Sequence, residues 1–379
     1  NTLGRLGVGD VVMTADGDQA LEVLKDDAKS VDLVFCDLQM PGRDGIEVLR
    51  DLVELQPDAG VVLMSGEDVE VLHAADNLAK ERGLRVLGSL EKPVSAADIK
   101  SMLVKVQDER TPNRAGPITD VTVDDLRNAI DNGNILPFFQ PKVRLAEGSL
   151  ESVEALARWI HPQHGIISPI VFIPMAEDNG LIDALTDAVM SQAFDQGKQW
   201  AEVNLAPQIA VNLSVLSLDR LELPDQILNA AATAGLEAPQ VVLEITESRI
   251  SEDPSALLDI ITRFRLKRFE LSIDDFGTGF SSLQQLQRLP FSELKIDQAF
   301  VMGASNNATA QSILESSISL AKKLNLRIVA EGVESREDWD LISRLGCDLA
   351  QGYLVAKPMP GNEIPAWHES WLKQGSQPV

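Results

Sequence analysis

Residues 241–280 read VVLEITESRISEDPSALLDIITRFRLKRFELSIDDFGTGF. Two short apolar runs, VVLEITE and LSIDDFG, begin about 30 residues apart, and each breaks into carboxylates where it ends: Glu244 and Glu247, then Asp274 and Asp275. Such runs predict buried strands, and the helical stretch between them makes a strand–helix–strand unit with parallel strands. The same unit recurs outward. FFQPKV, LESVEALARW and IAVNLS precede it, and ELKID, RIVAEGV and AQGYLV follow. Eight short strands with intervening helices, over about 250 residues from Val123, predict a (βα)8-type barrel.

Before the barrel, strands predicted at Asp10–Thr14, Val31–Asp37, Gly60–Ser65 and Leu84–Leu90 alternate with helices at Gln19–Leu24, Gly45–Leu55, Val69–Lys80 and Ala96–Val106. That order predicts a doubly wound parallel sheet. The stretch QDERTPNRAGPITDVT, Gln107–Thr122, loses periodicity and holds two prolines and a glycine. The expected organisation is therefore a first domain over 1–106, a linker over 107–121 and a barrel over 122–370.

A chain of 379 residues is too long for one ordinary domain, and its 44% hydrophobic content excludes disorder as the main state. The formal charge of -25 is spread over both parts. A field of that sign repels DNA, RNA and anionic lipid, so a small anionic substrate needs cations or local Arg and Lys. Two cysteines, Cys36 and Cys347, far apart in apolar runs, predict a reducing compartment without disulfides. No apolar run reaches the ~18 residues of a membrane span, and no signal peptide is visible. The expectation is a cytoplasmic protein with no membrane insertion.

In the first domain Asp37, Ser65 and Lys92 close three successive predicted strands. Ends of parallel strands meet at one ligand-binding edge. There a carboxylate can act as nucleophile in phosphoryl transfer while a hydroxyl and an ammonium stabilise the added charge. The domain resembles the receiver domain of bacterial response regulators, which have a flavodoxin-like fold. The resemblance implies that Asp37 accepts phosphate from a sensor histidine kinase with Mg²⁺ bound, and that Ser65 and Lys92 are the switch residues. Asn1–Val8 match the end of the family's first helix, so the first strand and its Mg²⁺-binding acidic pair are expected in a longer natural protein. Ser89 stands where the family carries an aromatic switch residue.

In the second domain Glu154, Asn212, Glu244, Glu247, Asp274, Asp275, Lys295, Glu331, Glu334 and Gln351 fall where strands meet their loops. The C-terminal ends of barrel strands carry catalysis. So many carboxylates on one rim repel each other unless cations neutralise them, and all-oxygen ligation selects Mg²⁺, Mn²⁺ or Ca²⁺ over zinc. Asp274 next to Asp275 allows one side chain to bridge two metals while its neighbour binds one. Two metals together are a recurrent device for phosphodiester hydrolysis. Arg158 shares a face with Glu154 in a strand and neighbours it in a helix. His161 and His164 are expected in a turn, and Trp159 in the core.

Together these segments resemble the EAL-domain family of cyclic-di-GMP phosphodiesterases, whose naming motif stands as Glu154-Ala155-Leu156. The resemblance implies a modified (βα)8 TIM-type barrel that hydrolyses cyclic-di-GMP to linear pGpG. It implies Glu154, Asn212, Glu244 and Asp274 as ligands of one cation, and Asp274, Asp275 and Glu331 as ligands of a second. Mg²⁺ or Mn²⁺ would support activity and Ca²⁺ would inhibit it. Lys295 would position the attacking water, with Lys295 or Glu331 as base. Glu247 would anchor the DDFGTG loop, and Gln140, Leu156, Arg158, Glu334 and Gln351 would face the substrate. Phe280 replaces the family's usual Tyr. A homo-oligomer is expected. The alternatives are a catalytically silent receptor for the dinucleotide and a phosphorylation-dependent scaffold.

Overall fold

A computed structural model of the chain describes residues 3, 8–26, 31–56, 59–66, 69–92, 94–95, 98–100, 102–103, 121–246, 254–277, 286 and 288–375. The chain divides into two compact units, Asn1–Gly116 and Pro117–Val379.

The first unit holds three parallel strands in the order β1 (Leu33–Asp37), β2 (Gly60–Ser65), β3 (Arg85–Glu91). Helices Gly17–Leu24, Gly45–Leu55 and Val69–Glu81 alternate with them. On β2, Val61 and Leu63 pack with Leu49, Leu52 and Ala79, while Val62 packs with Leu87, Leu90 and Met102. Burial of both faces explains the unbroken apolar run GVVLMS. Asp44 caps its helix by accepting from the Glu47 N–H. Gly45 is required by close approach: a Cβ there would lie 2.4 Å from the Asp37 carbonyl oxygen. The strand expected at Asp10–Thr14 does not form. Among the described residues nothing pairs with it, and Val12 and Met13 lie exposed. Apolar alternation alone makes no strand without a neighbour to complete the ladder. The helix expected at Ala96–Val106 is helical where described, at 98–100 and 102–103, and its other residues lie outside the described ones.

The second unit is a closed barrel. Its strands are β4 (Ile135–Arg144), β5 (Leu150–His161), β6 (Gly165–Ile167), β7 (Gln208–Asn212), β8 (Val241–Thr246), β9 (Glu270–Phe276), β10 (Glu293–Ile296), β11 (Arg327–Ala330), β12 (Leu349–Ala350) and β13 (Met359–Pro360). Eight of them, in the order β4-β12-β11-β10-β9-β8-β7-β5, close through a β4–β5 pairing. The two strands beyond the expected eight are short: β6 extends β5, and β13 extends β4. Both ladders of β4 within the ring are antiparallel, and the rest are parallel. The cause is local. Residues 145–149 between β4 and β5 can close a hairpin and are too few for a crossover.

Side-chain parity sorts the barrel. Ile209, Val211, Leu243, Ile245, Leu271 and Ile273 face the helices and form the main core with Phe194, Trp200, Ile260 and Phe264. Leu294, Ile296, Ile328 and Ala330 do the same in the adjoining cluster. The alternate positions Lys142, Ser152, Glu154, Glu244, Ser272, Asp274, Glu293 and Lys295 are buried and polar. A barrel interior is ordinarily layered with Val, Ile and Leu; this one mixes Ala210, Val242, Val329 and Leu349 with ions and hydroxyls. Among the described residues no helix is long and apolar enough to cross a membrane.

Candidate active site

Lys295, on β10, is 1% exposed, and its ammonium is the hub of the barrel interior. Its Nζ lies 2.7 Å from Glu331 Oε1, 2.8 Å from Asp274 Oδ1, 2.8 Å from Glu244 Oε2 and 3.3 Å from Glu154 Oε2. The four acids come from β5, β8, β9 and the residue after β11. Asn212, at the end of β7, donates to Glu154 Oε1 at 2.8 Å. Gln351, just after β12, donates to Glu154 Oε2 at 2.7 Å and to Gln140 Oε1 at 3.0 Å. Gln140 in turn donates to the Ala356 carbonyl at 3.1 Å. Buried Gln351 Oε1 has no hydrogen-bond partner.

Asp274 and Asp275 are neighbours in β9, and strand geometry would send them to opposite faces. Asp275 instead has φ +55°, in the left-handed region. Its N–H bonds Asp274 Oδ1 at 3.1 Å, and the two carboxylates share one cluster. The turn at Asp275 is what lets adjacent acids serve one rim. Glycine is needed at 352 for a different reason: a Cβ there would lie 2.2 Å from the Val333 carbonyl oxygen, which accepts the Leu354 N–H.

Carboxylate oxygens of Glu154, Glu244 and Asp274 lie within 4.8 Å of one another, as do those of Asp274, Asp275 and Glu331. These are two oxygen-donor clusters sharing Asp274, the arrangement that suits hard divalent cations. The electrostatics fit cation binding. Burial, then repulsion from Glu154, pushes Glu244 up to about 7. Burial, then Asp274, pushes Asp275 up to about 6. Burial pushes Glu331 up to about 8, against the pull of Lys295. Burial also works against ionised Glu154, but Lys295, Lys142 and the hydrogen bonds from Gln351 and Asn212 outweigh it and hold that carboxyl far below its ordinary value. Despite burial, the surrounding acids hold Lys295 well above an ordinary lysine, so it is an ammonium. One ammonium does not satisfy this many acids, and added positive charge is what the donor set favours.

The sequence-predicted residues Glu154, Asn212, Glu244, Asp274, Asp275, Lys295, Glu331, Gln140 and Gln351 meet in this site. Arg158 shares β5 with Glu154 and is half-buried, donating to its neighbouring Ala157 carbonyl at 2.8 Å. Leu156 is half-buried on the same strand, and Glu334 is exposed in the loop after β11. Glu247 and Phe280 lie outside the described residues. His161 is the last residue of β5, and its Nδ1 accepts from the Gln163 and His164 N–H groups of the turn that follows; Trp159 is 1% exposed in the core.

Sequence reasoning missed Lys142. It is fully buried on β4 and bonds Glu244 Oε1. The signal was present: in FFQPKVR the alternate residues Gln140, Lys142 and Arg144 form a polar face opposite Phe139 and Val143.

In the first unit, Lys92 Nζ bonds Asp37 Oδ2 at the ends of β3 and β1. The Lys92 N–H donates to the carbonyl of Ser65, which is buried at the end of β2, at 2.8 Å. Ser89 is exposed on β3. The three predicted residues therefore meet at one sheet edge. Among the described residues Asp37 belongs to no cluster of three possible metal ligands.

Comparison with known proteins matches both units to known families. The response regulator receiver domain model matches residues 1–104, and the EAL domain model matches residues 123–358. Cyclic di-GMP phosphodiesterase RocR of Pseudomonas aeruginosa is 34% identical over 354 residues, covering 93% of this chain and 90% of the relative. The bifunctional diguanylate cyclase/cyclic di-GMP phosphodiesterase MucR of the same species is 42% identical over 243 residues, 64% of this chain, which spans only 36% of that longer protein. A solved structure of the PaMucR phosphodiesterase in complex with c-di-GMP is 41% identical with TM-score 0.61, covering 64% of this chain and 98% of that one. With the barrel, its ionic interior and these matches in hand, the chain belongs to the EAL-domain family and carries a response regulator receiver domain ahead of its barrel.

Proposed function

We propose that this chain is a response regulator whose barrel hydrolyses cyclic di-GMP to linear pGpG, under control of phosphorylation at Asp37. The observation that carries the reading is the ring of four carboxylates around Lys295, three buried and Glu331 half-buried, with Asp274 common to two oxygen clusters. RocR, which resembles this chain over nine-tenths of both lengths, supports the substrate.

Glu154, Asn212, Glu244 and Asp274 would hold one Mg²⁺ or Mn²⁺, and Asp274, Asp275 and Glu331 a second. When bound, such cations supply positive charge to the phosphodiester oxygens and make water a stronger nucleophile. The chain's own groups do the rest. Lys295, in contact with all four rim acids, would orient the attacking water by donating to it. Lys295 or Glu331, 2.7 Å apart, would accept that proton. Gln140, Leu156, Arg158, Glu334 and Gln351 would line the dinucleotide, with unpartnered Gln351 Oε1 open to a donor from it. Glu247 would anchor the loop after β9. Ca²⁺, larger and more loosely coordinated, would occupy the site without supporting turnover.

At the other edge, Asp37 would take phosphate from a sensor histidine kinase, with Ser65 and Lys92 as switch residues. Residues 1–106, 107–121 and 122–370 would act as receiver, linker and phosphodiesterase in a cytoplasmic homo-oligomer.

The test is chromatography of products from the full chain with cyclic di-GMP and Mn²⁺, beside an Asp274→Asn control. Linear pGpG from the parent and none from the control is expected. A parent that binds the dinucleotide and leaves it intact makes the chain a receptor instead.

A further inference from the structure

Glu244 is clamped at both oxygens. Its Oε2 lies 2.8 Å from Lys295, the ammonium it shares with Glu154 Oε2 and Asp274 Oδ1, so Oε2 is the oxygen on the candidate cation side. Its Oε1 bonds Lys142, whose side chain is 0% exposed. The only other carboxylate recorded within salt-bridge reach of Lys142 among the described residues is Glu293, at 3.9 Å. Glu293 is itself held at Oε2 by Arg327, at 2.8 Å, while its Oε1 has no hydrogen bond. Lys142 therefore has one close partner, and that partner is one of the acids that would ligate a cation.

The two lysines differ in what they can do. Lys295 stands among all four rim acids, so any cation entering there must compete with it for the same oxygens. Lys142 holds the Glu244 oxygen that Lys295 does not, so its grip need not be released. It enters from β4, the one ring strand that runs antiparallel to both neighbours, where it pairs with Ser152, not with an acid.

We propose, on the reading that this barrel binds two divalent cations, that Lys142 is a positioning residue: it pins Glu244 Oε1 in the barrel interior so that Oε2 stays free to join Glu154, Asn212 and Asp274 in holding a cation. Groups that orient a metal ligand from behind contribute about 10–100-fold to metal affinity.

The experiment compares full-length parent, Lys142→Met and Lys142→Gln. Met and Gln are both neutral and one bond shorter than Lys; Met offers Oε1 no donor, while Gln keeps an N–H donor that falls short of it. Mn²⁺ is titrated calorimetrically into each folded, cation-free protein without dinucleotide, and kcat and KM are then measured at saturating Mn²⁺. The expected result is Mn²⁺ affinity about 10–100-fold weaker in the folded variants, with KM for the dinucleotide within about twofold once the metal saturates. The loss should vanish when Lys142→Met is placed in a Glu244→Gln background. Unchanged or tighter Mn²⁺ binding in a folded variant overturns the proposal. So does failure of both variants to fold, since that assigns Lys142 to the fold and not to the site. A parent that binds Mn²⁺ but hydrolyses no dinucleotide removes the phosphodiesterase reading and leaves the titration to decide Lys142.

Discussion

Replacing Lys295 by Met removes the one positive charge that four rim carboxylates share. At an effective dielectric of about 20, each contact between 2.7 and 3.3 Å attracts by about 5–6 kcal/mol. Carboxylate oxygens 4.8 Å apart repel by about 3.5 kcal/mol per pair at the same dielectric. Attraction and repulsion are of one order while the ammonium is present; without it Lys142, bonded to Glu244 Oε1, offsets only part of the repulsion, and the acids relieve the rest by taking protons or moving apart. The expected net cost in EDTA is about 3–5 kcal/mol, the range for a buried ion pair that loses one partner. For a domain of this size that lowers the midpoint by roughly 6–20 °C. Mn²⁺ at about 100 times its Kd returns about 2.7 kcal/mol per site, and more to the variant than to the parent because nothing competes for the oxygens. Calorimetric or circular-dichroism melts of parent and Lys295→Met, in EDTA and in Mn²⁺, measure both quantities. Turnover at saturating Mn²⁺ should fall by about 10²–10⁴-fold. The reasoning is refuted if the variant melts with the parent in EDTA, or if Mn²⁺ raises both midpoints equally.

Three further outcomes are expected. Asp275→Asn should keep its stability in urea, because Asn tolerates the left-handed backbone, whereas Asp275→Val should lose about 1–2 kcal/mol; calorimetry should show weaker Mn²⁺ binding in both. Buried Asp338 accepts from the Gly303 and Ser305 N–H groups and from Ser335 Oγ, and these bonds hold its carboxyl below the ordinary value against the opposing effect of burial. Its contribution is present above the unfolded pKa of about 3.9 and lost as pH falls through the lower folded value. Asp338→Ala should therefore cost about 1.5–3 kcal/mol at pH 7 and less below pH 4, read from urea midpoints. Asp37→Asn should abolish the response of turnover to acetyl phosphate, and an unchanged response would move phosphorylation elsewhere.

The barrel was legible because most ring strands are short apolar runs that break into a polar residue at the rim, where the chemistry stands; the strand expected at AQGYLV is strand only at Ala350, the end of two-residue β12. β6 and β13 were not, because runs of three and two residues carry no period. Asp10–Thr14 shows the converse error, since a correct local pattern is silent about whether a partner strand exists. The acids of the site were readable from strand ends, but Lys142 lies mid-strand, where attention goes to the apolar alternates Phe139 and Val143. The co-location of Asp274 and Asp275 was readable as an adjacency and not as a geometry, because it depends on one backbone angle that composition does not specify.

The ionic lining of the barrel has a calorimetric consequence. Apolar surface exposed on unfolding raises the heat capacity by about 0.45 cal/K/mol per Å², whereas polar surface lowers it by about 0.26. A barrel whose axis carries Lys142, Glu154, Glu244, Glu293 and Lys295 in place of hydrocarbon releases less heat-capacity increment than its length implies. Its unfolding should fall below the usual value of about 12–15 cal/mol/K per residue. The stability curve is then broader, and the catalytic lining makes the domain less sensitive to temperature on either side of its optimum.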